Sequence, residues 1–183
     1  ANNIERYNKE FQDIYIVAHS LGGLVTQKAL NYAYENNKAN ASEYTFINKT
    51  KKAVLVGVPN DKVAGSELFK QLFKYIVNVR TQAGLFNADS IGIKELAYGQ
   101  IIPKVPTVEY LVIAGTKPYI IETALFTVRS DELFGLNESN DGIVTITGAQ
   151  HVGGEYINDR CNNYWEIPET HTDLIKNPTA RQI

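Results

Sequence analysis

This sequence is short of cysteine, of methionine and of any excess of charge. Its 183 residues include one cysteine, Cys161, and no methionine. A single thiol excludes an internal disulfide framework, and the neighbouring Arg160, Asn162 and Asn163 offer it no patterned metal site. Lys and Arg number 18 against 20 Asp and Glu, a formal charge of −2. That balance points neither to a nucleic-acid surface nor to a polybasic membrane patch. No unbroken apolar run approaches the roughly 18 residues of a membrane span. No His/Cys cluster has ligand spacing, so neither a metal nor another cofactor is expected. The missing methionine reads Ala1 as a processed or trimmed start, and Ala1 to Arg6 lacks the apolar stretch of a leader. Secreted, envelope and cytoplasmic locations all remain compatible with this composition.

What is present is ordinary globular content, 44% hydrophobic, enough for one domain over residues 1–183. The run Ile14 to Ala18 is apolar and ends abruptly at His19-Ser20-Leu21-Gly22-Gly23. A strand turns straight into a helix only if the positions beside the apex carry almost no side chain. Ala18 and Gly22, two before and two after Ser20, meet that condition. Leu21 to Asn36 is then a helix, with Leu24, Gln27, Lys28 and Asn31 among apolar Val25, Ala29, Leu30 and Ala33. Asn36 to Ser42 is polar and reads as a loop. Lys52 to Val58 has the continuous apolar character of a buried parallel strand, closed by Pro59-Asn60. A helix from Ser66 to Val77 would align Leu68, Phe69, Leu72, Phe73 and Ile76 on one face. Segment 80–104 is weakly patterned, and Thr107 to Ala114 is a third strand closed by Gly115. This alternation predicts an α/β fold with a doubly wound, mostly parallel sheet.

Two later segments carry acid–base side chains. Asn140-Asp141-Gly142-Ile143-Val144 is a good turn that offers a carboxylate between the third strand and the late histidines. The histidines are His19, His151 and His171. His19 adjoins Ser20 and cannot swing onto its neighbour's hydroxyl. His151 and His171 both follow Asp141, and His151, just before Gly153-Gly154, reads as part of a surface loop.

Ala18-His19-Ser20-Leu21-Gly22-Gly23 resembles the G-x-S-x-G nucleophile elbow of the α/β-hydrolase superfamily, with alanine for the first glycine. It is most similar to the lipase and esterase branch. The resemblance implies Ser20 as nucleophile, Asp141 as the triad acid just after a sheet strand, and a base later in the chain. His171 is preferred, because His171-Thr172-Asp173-Leu174 with Asn177-Pro178 resembles the catalytic-histidine loop and final helix of lipase-like families; His151 is the alternative. Thr145-Ile146-Thr147 is similar to the continuation of the acid loop in bacterial lipases. Val58-Pro59-Asn60, with Gly65-Ser66 beyond it, looks like a Thr-Pro-His-x-Gly-Ser segment in which Asn60 replaces histidine.

The same resemblance implies that the backbone N–H of Leu21 serves the oxyanion hole. It also implies lid or cap elements, or an acyl-pocket lining, within about 66–104 and 119–135, and with them contact with a lipid interface. The strands that precede the elbow in this superfamily are absent from this chain, where Ile4 to Phe11 reads as the end of a helix leading into the elbow strand. The second oxyanion donor would then come from a complementary N-terminal fragment or chain, and the chain alone would be a poor enzyme. The expected function is hydrolysis of a small-molecule carboxylic ester or lipid through an acyl-enzyme. An acyltransferase or thioesterase would use the same residues, and a non-catalytic binding or assembly module on the same fold is the alternative of a different class.

Overall fold

Alternation of inward and outward side chains along β1 (Ile14–His19) decides how the first strand sits. Ile14 and Ile16 pack on the core and Ala18 is buried, while Tyr15 and Val17 stand exposed on the other face at 64% and 72%. The computed structural model describes residues 11–40, 44–60, 101–122, 127–159 and 162–182. All but Phe11 of the expected helix over Ile4 to Phe11, the expected helix over Ser66 to Val77, most of segment 80–104, and Cys161 lie outside the described residues.

β1 is followed by α1 (Leu21–Ala39), a 3-10 turn (Thr45–Asn48) and β2 (Thr50–Val56). After β3 (Glu109–Gly115) come a hairpin of β4 (Ile120–Glu122) and β5 (Thr127–Arg129) and then α2 (Ser130–Phe134). α3 (Ile146–Gln150) leads into a second small hairpin, β6 (His151–Val152) and β7 (Glu155–Tyr156). β8 (Tyr164–Ile167) and a 3-10 turn (Leu174–Lys176) complete the order. The strands β1, β2, β3 and β8 form one sheet in that spatial order, every neighbouring pair parallel. The fold is therefore α/β with a parallel sheet, and β1 is at one edge of it among the described residues.

Burial on both faces explains why β2 and β3 read as unbroken apolar runs. Ala53 and Leu55 of β2, with Tyr110, Val112 and Ala114 of β3, pack against Leu24, Leu30 and Ala33 of α1. Val56, Leu111, Ile113 and Ile167 point the other way, against Leu174. At about 25 cal/mol per Å² of apolar surface, this two-sided burial is the main stabilising term.

Several boundaries differ from the sequence reading. α1 continues through Ala39 rather than giving way to a loop at Asn36. Asn36 Nδ2 bonds the Tyr32 carbonyl at 2.8 Å, and Lys38, paired with Glu35 at 2.9 Å, complements the helix C-terminus. β2 and β3 are displaced by two residues or fewer, and Gly57, at φ +53°, ends β2 before Val58. The crowding beside the elbow falls on Gly23, not Gly22. A Cβ at Gly22 would meet nothing within 4 Å among the described residues, whereas one at Gly23 would lie 2.2 Å from Val58 Cγ2. Strand β8 was not foreseen, because Tyr-Trp-Glu-Ile is four residues long with an acid inside. No helix among the described residues is long and apolar enough to cross a membrane.

Candidate functional site

The carboxyl ends of parallel strands are where an open α/β sheet leaves a crevice, and here those ends are in step. Ser20 N–H donates to Val56 O at 2.9 Å, Gly57 N–H to Ile113 O at 2.8 Å, and Thr116 N–H to Ile167 O at 3.0 Å. Each residue just past a strand is thus still fastened to its neighbour, so the loops that follow start from fixed positions.

Ser20 stands between β1 and α1 at φ 54° and ψ −134°. It is the non-glycine residue with positive φ among the described residues. Such a backbone costs on the order of 1–3 kcal/mol and persists only where its surroundings impose it. The hydrogen bond to Val56 on one side and Gly23 N–H on the Ser20 carbonyl at 2.9 Å on the other are those surroundings. The turn leaves Leu21 as the first residue of α1, where its N–H has no intrahelical acceptor and points with the positive end of the helix.

Asp141 and His171 are buried, at 0% and 3% exposure. Asp141 was expected directly after a sheet strand, and it does not come off one. The β4–β5 hairpin and α2 intervene after β3, and Asp141 sits in a turn closed by a bridge between Asn140 and Thr145. Asx geometry shapes that turn. Asp141 Oδ1 accepts the N–H groups of Ile143 and Val144 at 3.0 and 2.7 Å, and Asn140 Oδ1 accepts that of Gly142 at 2.8 Å. Asp141 Oδ2 is left for His171 Nδ1, 2.7 Å away. The Asp141 carbonyl also takes the His171 N–H at 2.9 Å, so one residue holds the histidine by ring and by backbone.

His171 Nε2 lies 2.8 Å from Ser20 Oγ. With Nδ1–H given to the carboxylate, Nε2 carries the lone pair and accepts the serine proton. Two glycines make room below the ring. A Cβ at Gly57 would be 3.1 Å from both Asp141 Oδ2 and His171 Nδ1, and one at Gly115 would be 2.6 Å from Asp141 Cβ and from the Glu169 carbonyl. The segment after His171 is a single 3-10 turn rather than the expected final helix. Asn177, held extended at ψ 128° before Pro178, stops it from continuing.

His19 is half-buried beside His171. Its ring is 4.7 Å from that of His171, and its Nε2 donates to the His171 carbonyl at 2.8 Å. Burial first, and then the nearness of His171, hold its pKa below the ordinary histidine value. His151 is elsewhere, half-buried at the start of β6 with its ring 4.9 Å from that of Tyr156. Of the two late histidines, His171 is the one brought to Ser20. Asn60 is tied to other partners, receiving Gln27 Nε2 at 2.7 Å and giving its amide to Ala149 O at 2.6 Å. Among the described residues no group of three or more His, Cys, Asp or Glu is placed to hold a metal ion.

Tyr119 and Thr172 at the site were not picked out from the sequence as polar partners. Tyr119 read as part of an apolar pocket or lid, but its phenol oxygen bonds Thr172. No local signal marks such a partnership between residues so far apart in the chain. The sequence matches no protein-family model and no curated protein.

Proposed function

We propose that this chain is a serine hydrolase of the α/β-hydrolase type, close to the lipase and esterase branch, that cleaves carboxylic esters through an acyl-enzyme. The observation that carries this reading is the continuous chain from Ser20 Oγ to His171 Nε2 at 2.8 Å and from His171 Nδ1 to Asp141 Oδ2 at 2.7 Å, built on a serine with positive φ. A serine hydroxyl is a weak nucleophile at its own pKa. His171 takes its proton as the oxygen attacks the ester carbonyl, and returns it to the leaving alcohol. Asp141 keeps the Nδ1–H tautomer and stabilises the imidazolium formed in between. The Leu21 N–H, at the start of α1, faces the negative charge that develops on the carbonyl oxygen. Water then attacks the acyl-serine by the same route in reverse.

A fluorophosphonate probe tests this directly. Mass spectrometry of the treated protein is expected to find the label on Ser20, and none after Ser20→Ala. A folded protein that stays unlabelled where a known esterase reacts would leave a non-catalytic binding module as the better reading. An acyltransferase or thioesterase would label equally, and is separated by comparing water with added alcohols as acceptor and esters with thioesters as donor.

A further inference from the structure

The peptide unit between His171 and Thr172 is gripped at both of its polar atoms by side chains distant in sequence. Its carbonyl accepts His19 Nε2 at 2.8 Å, and its N–H donates to the Tyr119 phenol oxygen at 3.0 Å. That peptide plane sets the backbone just after the base and so the direction from which the imidazole approaches Ser20. We propose that Tyr119 is a positioning residue that locks the acid loop to the base loop and aims His171 at Ser20; the proposal rests on the reading of Ser20, His171 and Asp141 as a hydrolytic array.

Every polar atom of Tyr119 is engaged in this. Its N–H donates to Ser130 Oγ at 3.0 Å and its carbonyl accepts Ser130 N–H at 2.9 Å, so buried Ser130 pins its backbone from both sides. Its ring lies over Gly142, the residue after the acid. A Cβ there would come within 2.5 Å of Tyr119 Cδ2, and Gly142 at φ +94° is in the region that favours glycine. Its phenol then reaches the other loop, accepting from Thr172 N–H and donating to Thr172 Oγ1 at 3.1 Å. Packing over Gly142 needs only an aromatic ring. The oxygen serves Thr172 alone among the described contacts, which separates positioning from packing.

Tyr119→Phe keeps the ring and removes the oxygen. In the full chain, with a p-nitrophenyl ester, kcat is expected to fall about tenfold with KM unchanged, since small misplacements of a catalytic group carry costs up to about a hundredfold. Thr172→Val removes Oγ1 and leaves the amide bond, so its kcat is expected to stay within about twofold. Two readouts need no turnover: hydrogen exchange at the Thr172 amide, expected to speed up in Tyr119→Phe, and the low-field proton resonance shared by His171 Nδ1 and Asp141, expected to shift or broaden. Unchanged kcat, exchange and resonance overturn the proposal. So does a loss confined to KM, which would put the phenol on the substrate, or an equal loss in Thr172→Val. If the wild type neither turns over ester nor takes the probe while Tyr119→Phe still loosens the amide and the shared proton, the hydrolytic reading fails and the positioning of His171 stands.

Discussion

Ser20 and His171 meet at 2.8 Å but are held there in different ways. Ser20 is set by its own neighbours in the chain: β1 before it, α1 after it, and the positive φ that joins them. His171 has no such frame, standing between β8 and a single 3-10 turn. Its place depends on Asp141, His19 and, through Thr172, Tyr119, at sequence separations of 30, 152 and 53 residues. Ser20 is thus presented as soon as β1 and α1 form against β2. His171 is placed only when the turn of Asp141, the segment leading into β4 and the turn at Ser20 have all closed around it, each closure costing chain entropy. Damage near Ser20 should therefore appear first as lost stability, and damage around His171 first as lost turnover.

The largest expected effect breaks the array on the His171 side. Asp141→Asn retains an oxygen for the N–H groups of Ile143 and Val144 but cannot accept Nδ1–H as the carboxylate does, so kcat should drop about ten-thousandfold with the fold intact. Steady-state kinetics on the folded variant measures it, and a drop of tenfold or less would mean that the histidine does not depend on this acid.

A smaller effect is expected on the elbow side, and in stability instead of turnover. Gly23→Ala drives a methyl against Val58, which is fully buried and β-branched, so it should cost about 1–3 kcal/mol in urea unfolding. Val58→Ala in the same chain should recover part of that loss. Strict additivity of the two substitutions would show that the contact does not limit how closely α1 approaches β2. Ester turnover per folded molecule should change little in Gly23→Ala, which is the contrast with Asp141→Asn.

The smallest effect concerns the residue that belongs to both regions. His19 lies next to Ser20 and holds the His171 carbonyl, and its folded pKa is below the ordinary histidine value of 6.5 because burial and then His171 disfavour its charged form, with the bond to the His171 carbonyl and Asp141 opposing. Above pH 6.5 both the folded and unfolded forms of His19 are neutral, and its contribution is fully present. As pH falls below that value the unfolded chain takes a proton the folded state resists, so stability declines until the folded pKa is passed. His19→Gln, which keeps an N–H donor, should show a shallower loss of unfolding free energy over that acid range. Identical slopes would show that the half-buried His19 does not resist protonation in the folded state.

The apolar run Ile14 to Ala18, the apolar runs of β2 and β3, and the small residues around Ser20 made the α/β character and the strand-to-helix turn legible. β8 was not legible, since four residues with one acid carry no clear period. Gly22 drew the attention that Gly23 deserved, because sequence spacing does not say which glycine faces Val58. Asp141 was read in a turn after a strand, but the hairpin and α2 that intervene, made from short pieces between 120 and 134, have no pattern strong enough to announce them.

What the sequence by itself determined is the strand-to-helix turn at Ser20, because the small residues that permit it lie within a few positions, although the Ser20 N–H is also fastened to Val56 of β2. The tertiary structure brought His171, which the resemblance of its segment favoured, and not His151 to that serine, and it alone decided that Tyr119 and His19 hold the peptide beside it. Those contacts join residues 30 to 152 positions apart, and they exist only after the parallel sheet has brought the strand ends into register.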